Sequence, residues 1–161
     1  MEVHVFILST MSREMTAAYF KRYNVPFDPS NVTVQRYRWR RRTANEALSV
    51  SLWLACQHPV VDALASSIVP YMDTSVCLYH DHNAMSCVRV RNAMATLQRH
   101  TDSIWLMSTT MPRLRIQHAS RIKKCYNRDG FERPLLTGPL HENIEEMIRV
   151  DLNVCKYLDS F

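Results

Sequence analysis

The period of hydrophobic positions changes repeatedly along this chain, and each change marks an element. From Glu2 to Thr10, Val3, Val5 and Ile7 share one parity while Phe6 and Leu8 share the other. Apolar side chains on both faces predict a central strand. Ser12 then stands where a helix cap belongs, with Met15, Ala18, Tyr19 and Arg22 at helical spacing to about Tyr23. Val25-Pro26-Phe27-Asp28-Pro29 reads as a turn-rich connection.

Val32 to Arg42 is a strand with a change of face inside it. Tyr37 and Trp39 share one parity, and Arg36, Arg38 and Arg40 the other. Val32 and Val34 have the parity of the arginines, so the stretch holds a bulge near Gln35 or becomes an edge there. Tyr37 and Trp39 are expected to face the core, opposite the arginines.

Thr43 with Glu46 three residues later forms a capping box. A nearly all-apolar helix is expected from it to about Gln57, carrying Ala47, Leu48, Val50, Leu52, Trp53, Leu54 and Ala55. Pro59 opens a second helix with Val61, Leu64, Ala65 and Ile68 on one stripe. Further on, strands are expected at Ser75–His80 and Ser103–Ser108, with another where Leu114, Ile116 and His118 alternate with polar residues. Ala84–Arg99 fits a helix, at least from Asn92. Residues 130–139 read as a loop. Leu140–Leu158 is an amphipathic helix whose first turns carry Glu142, Glu145 and Glu146, favourably placed for the helix dipole. Interleaved strands and helices predict an α/β or α+β fold, with about four or five strands and about four or five helices.

The 161 residues suit one globular domain. No apolar run reaches the roughly 18 residues of a membrane span, so no membrane partner is expected. Val3–Leu8 is short for a signal peptide, and Glu2 stands where a positive charge belongs. Cysteines at 56, 77, 87, 125 and 155 are odd in number and follow no disulfide framework, which predicts a reducing compartment, cytoplasm or nucleus. Only Gly130 and Gly138 are glycines, and neither lies between a strand and a helix start. That excludes a P-loop and a dinucleotide fingerprint. The skew toward nine methionines and two glycines suggests a compact, fast-evolving genome, viral ones included.

Charge is unevenly spread. Residues 1–128 hold 17 Lys and Arg against 8 Asp and Glu, whereas 129–161 hold 3 against 7. Two windows lack any acid, Pro29–Asn45 and Ser103–Arg128. The first contains Arg36, Arg38, Arg40, Arg41 and Arg42; the second contains Lys123 and Lys124 with Arg121 and Arg128. Such windows predict a cationic face for RNA or single-stranded nucleic acid, or for an acidic protein surface. Arg121, Lys124 and Arg128 at helical spacing could also clamp the acidic 141–151 segment internally.

Catalytic and metal chemistry has weaker support. Cys77, His80, His82 and Cys87 are zinc-ligand types, yet a continuous strand would turn Cys77 away from both histidines. We expect no metal and no cofactor. His100, His118 and Cys125 could build an acid–base site, but His118-Ala119-Ser120 is a single His-x-Ser motif where paired-histidine phosphoesterases have two. The order of several features resembles nucleotide-sugar glycosyltransferases. These are the early strand, Asn45-Glu46-Ala47-Leu48 opening a helix, Asp81 ending a strand, and Thr137-Gly138-Pro139 before the last helix. The resemblance implies a metal-dependent transferase centred on Asp81. The chain departs from it in having His80-Asp81-His82 in place of Asp-x-Asp, in its short length, and in offering no second carboxylate as a base.

A non-enzymatic binding protein is therefore the leading expectation, with Arg36, Arg38, Arg40, Arg41, Arg42, Lys123 and Lys124 as its contacts. The alternative is a protein-interaction or self-assembling module, including a homo-oligomer, that uses the Arg-rich edge or the apolar helices expected over 44–69.

Overall fold

The computed structural model describes residues 2–42, 47–109 and 135–151, with residues 41, 42 and 47 described by their backbone alone. Its centre is a mixed five-stranded sheet in the order β2-β3-β1-β4-β5. The strands are β1 (Glu2–Ser9), β2 (Gln35–Arg42), β3 (Ala47–Cys56), β4 (Thr74–Tyr79) and β5 (Ile104–Ser108). All neighbours pair in parallel except β2, which runs antiparallel to β3. Beyond β5, Leu136 makes one parallel bridge to Met107, a rudiment of a further strand.

Four helices cover the sheet among the described residues. They are α1 (Arg13–Arg22), α2 (Pro59–Ile68), α3 (Ala84–Gln98) and α4 (Leu140–Asp151). One core layer gathers Val3, Val5 and Ile7 of β1, Leu48, Val50, Leu52 and Leu54 of β3, and Tyr19, Phe20, Ile144 and Met147 of α1 and α4. The other gathers Phe6, Leu8, Cys77 and Tyr79 with Val61 and Ala65 of α2 and Val90, Met94 and Leu97 of α3. Helices on both faces of a largely parallel sheet make an α/β arrangement. No helix among the described residues is long and apolar enough to cross a membrane.

Local signals fix most boundaries. The Ser12 hydroxyl accepts the Met15 N–H at 3.2 Å and caps α1. The helix stops at Asn24, the one described non-glycine residue in the left-handed region, with φ 59°. Asparagine tolerates that conformation better than most residues. Pro59 opens α2 behind His58, and the Asn83 side chain accepts the Ser86 N–H at 2.9 Å to cap α3.

The expected helix over 44–57 is corrected to a strand. Residues 47–56 are β3, sandwiched between β2 and β1, while Thr43 and Glu46 of the capping box lie outside the described residues. An all-round apolar segment is what a helix buried on every side looks like, but also what a strand covered on both faces looks like. Only α2 remains of the pair of apolar helices expected over 44–69. The strand expected around 114–118 lies outside the described residues, as does the end of the last helix beyond Asp151.

At the amino end of β4 and β5, one carboxylate ties helix to sheet. Asp151 at the end of α4 accepts the Trp105 indole N–H at 2.8 Å, the Ser103 hydroxyl at 2.5 Å and the Thr74 hydroxyl, all on Oδ2. Trp105 is fully buried, so its N–H has to find its acceptor inside the protein. Asp151→Ala is expected to lower folding stability by about 2 kcal/mol, the scale of a charge-assisted hydrogen bond. Urea unfolding should show the loss, with Asp151→Asn losing less; an unchanged midpoint would remove this tie from the account.

Candidate functional site

The arginine strand takes the edge of the sheet. Tyr37 and Trp39 pack against the core beneath α1 and α4, and Trp39 meets the His141 ring edge-on at 4.6 Å. Val34, just before the strand, packs against the opposite layer. The reversal of face is thus resolved by an edge that begins at Gln35. Arg36, Arg38 and Arg40 are exposed on the α2/α3 side of the sheet. Arg41 and Arg42 continue the strand, paired through their backbones with Leu48 and Ala47.

On that side the helix layer is incomplete. It covers Phe6, Leu8, Ala55, Cys77 and Tyr79, toward the carboxyl ends of the parallel strands. Nearer the amino ends, the same face shows polar rows instead. Register aligns Arg40 with Ser49 and Glu2, and Arg38 with Ser51 and His4. Arg36 lies across from Trp53 and holds its guanidinium 4.8 Å from the indole centroid.

These arginines are not equivalent. Arg36 Nη2 donates to Glu2 Oε1 at 2.8 Å and to Ser51 Oγ at 3.0 Å, and Ser51 Oγ donates to the same carboxylate at 2.9 Å. The Ser51 hydrogen bond, with help from His4, Arg38 and Arg36, holds the Glu2 carboxyl below its ordinary value. Arg36 is thereby a brace. Arg38 reaches Glu2 only at 3.9 Å, and Arg40 has no ion-pair partner among the described residues. Among the described side chains, the free cationic character of the face rests on these two.

Beside them lies an aromatic slot. His4, Trp53, Ser67, Ile68, Tyr71 and Met72 line a cavity of about 200 Å³. Trp53 Nε1–H donates to His4 Nδ1 at 3.1 Å, and Tyr71 is 77% exposed. Trp53 was hidden from sequence reasoning by the helix assigned to its segment, and nothing in the sequence singled out Tyr71.

The carboxyl end of β4 carries the other candidates. Asp81 is 5% exposed and its Oδ2 accepts the Ser108 hydroxyl at 2.5 Å. Cys77 is fully buried beneath α2 and α3, so it does not join His80, His82 and Cys87. Burial pushes the Cys77 thiol up strongly and the Cys87 thiol up as well, which disfavours thiolate at either. No group of three or more His, Cys, Asp or Glu side chains is placed to hold a metal among the described residues. One glycosyltransferase-like feature also changes: Ala47 and Leu48 begin a strand, although Thr137-Gly138-Pro139 does precede α4.

His80 has a defined role in its turn. Its backbone N–H donates to Ser86 Oγ at 3.0 Å, and its Nδ1 accepts the His82 N–H at 3.1 Å. Accepting at Nδ1 places the ring proton of the neutral form on Nε2. Burial, then neighbouring His82, lowers its pKa below the ordinary histidine value. Lys123, Lys124, His118 and Cys125 lie outside the described residues, and so does the proposed clamp of 121–128 on the acidic segment. His100 follows α3, at the opposite end of the sheet from His80.

No family model matches this chain, and no curated protein matches it.

The lowered His80 pKa has a definite sign for stability. Protonation favours the unfolded chain, so the contribution of the neutral ring is complete above the ordinary value of 6.5 and declines as pH falls below it. Titration of the His80 ring by NMR should give a midpoint below that of a histidine in an unfolded peptide. A midpoint at or above the peptide value would contradict the burial and His82 arguments.

Proposed function

We propose that this chain is a non-enzymatic binding protein for single-stranded nucleic acid, RNA in the first instance, held on the open face of the β2 edge. The observation that carries the reading is the juxtaposition of exposed Arg38 and Arg40 with the slot lined by Trp53 and Tyr71. Alternate residues of a strand rise together by about 6.7 Å, so the two guanidinium groups can meet successive phosphates of an extended strand. Bases then lie toward the exposed ring of Tyr71, beside half-buried Trp53, where stacking is tolerant of sequence.

A flat sheet face suits a single strand better than a duplex, whose major groove admits a helix or a narrow ribbon. Arg41 and Arg42 extend the track along β2, and Lys123 and Lys124 join the reading on charge alone. Arg36 contributes by holding Glu2 and Trp53 in place. The unpaired state of Cys56, Cys77 and Cys87 supports action in a reducing compartment, cytoplasm or nucleus.

The test is titration of a labelled single-stranded RNA at low and physiological salt. Micromolar or tighter binding is expected, with log affinity falling against log salt by about 0.7 per phosphate contacted. Arg38→Glu/Arg40→Glu should weaken it at least tenfold and flatten that slope. Tyr71→Ala should cost about 1–3 kcal/mol, the scale of one stacked base. Absence of binding at low salt would overturn the reading and turn attention to an acidic protein, or a second copy, on the same edge.

A further inference from the structure

The parallel strands of this sheet have a topological switch point, and it lies away from the arginine face. Taken in chain order they are β1, β3, β4 and β5, but in space β3 and β4 flank β1 on opposite sides. The connection after β1 leads to β3 on one side, and the chain then crosses to β4 on the other. In open α/β sheets the loops diverge at such a point and leave a crevice at the carboxyl ends of the strands.

A crevice of about 330 Å³ is present there. Met11 from the loop after β1, His80 from the loop after β4 and Thr109 after β5 line it, together with Met15, Tyr19 and Arg22 along α1. Its size falls within the range of small-molecule sites. Two methionines and the Tyr19 ring give apolar, polarizable walls, which favour a flat aromatic group. Among the described lining residues Arg22 is the one formal charge, and none is an acid. Asp81 is turned away onto Ser108.

Tyr19 is 3% exposed, and its hydroxyl has no hydrogen-bond partner among the described residues. That oxygen is itself buried, so the Tyr19 ring, not its hydroxyl, is what the crevice presents. Since Nδ1 of His80 accepts the His82 N–H, the imidazole presents Nε2–H as its donor. Among the described lining residues, His80 thus offers a donor beside a single arginine. From Met15 to Arg22 the helix rises by about 10 Å, a span that accommodates a ring at one end and an anion at the other.

We propose that this crevice is a separate small-molecule site for an aromatic ring bearing an anionic group, of the nucleoside 5′-monophosphate class. The ring lies between Met11, Met15 and Tyr19, and the phosphate meets Arg22, with His80 supplying a neutral donor. No glycine loop cradles the phosphate, so the side chains carry its recognition.

The experiment is calorimetric titration of the full chain with AMP, GMP, CMP and UMP, and with adenosine and inorganic phosphate as fragments. At least one monophosphate is expected to bind, with each fragment at least tenfold weaker. Arg22 is exposed, so Arg22→Gln should fold normally and weaken that monophosphate tenfold or more while leaving adenosine unchanged. Arg38→Glu/Arg40→Glu should bind the monophosphate as the natural chain does, which separates this site from the sheet-edge reading. Failure of all four monophosphates overturns the proposal. So does binding that survives Arg22→Gln, or binding that disappears with Arg38→Glu/Arg40→Glu.

Discussion

The structure depends on keeping both faces of its parallel strands dry. β4 and β5 are buried at every position, and β4, paired with β1 on one side and β5 on the other, has helices above and below. A parallel sheet has little tolerance for a wet face, because its connections lay helices across it. Once α2 and α3 are committed to Phe6, Leu8, Cys77 and Tyr79, they cannot also reach the amino ends of β1 and β3. The antiparallel β2 completes the sheet on that side, where one face is apolar and the other meets water. Polar rows at Glu2, His4, Ser49 and Ser51 are the sequence's answer to that geometry.

Much of this architecture was legible in the sequence. The two-parity apolar run of β1, the Ser12 cap, Pro59 at the start of α2 and the alternation of β2 each rest on local rules that tertiary context did not override. β3 was not read, and the reason is specific. Leu48, Val50, Leu52 and Leu54 alternate with Ser49 and Ser51, a period of two that outweighs the helical reading. The capping-box pattern at Thr43 and Glu46 drew the segment toward a helix, and Trp53, Leu54 and Ala55 broke the alternation. Leu54 and Ala55 lie where the strand is buried on both faces and Trp53 borders that cover, so the signal fades where the environment becomes two-sided.

The sites were legible in part. The arginines announce themselves by charge, but their inequality comes from register. Glu2 lies far from Arg36 in sequence and is brought beside it by β1 and β3. Tyr71 and Trp53 meet only because the turn after α2 returns toward the start of β1. Likewise the crevice at the carboxyl ends joins α1 to the loops after β4 and β5, and no local pattern announces such a meeting. Asp81, which drew notice by its position, is occupied inward, while its neighbour His80 faces the opening.

The edge position of β2 gives its arginines a duty independent of any ligand. A strand whose outer backbone is unpaired is a template for another chain, and an apolar one invites fibril growth. Two such edges brought together would align rows of guanidinium groups against each other and repel. The same residues therefore guard the edge against pairing with another copy, and replacing Arg38 and Arg40 with valine removes that guard. One row of side chains thus both opposes pairing at the edge and presents positive charge.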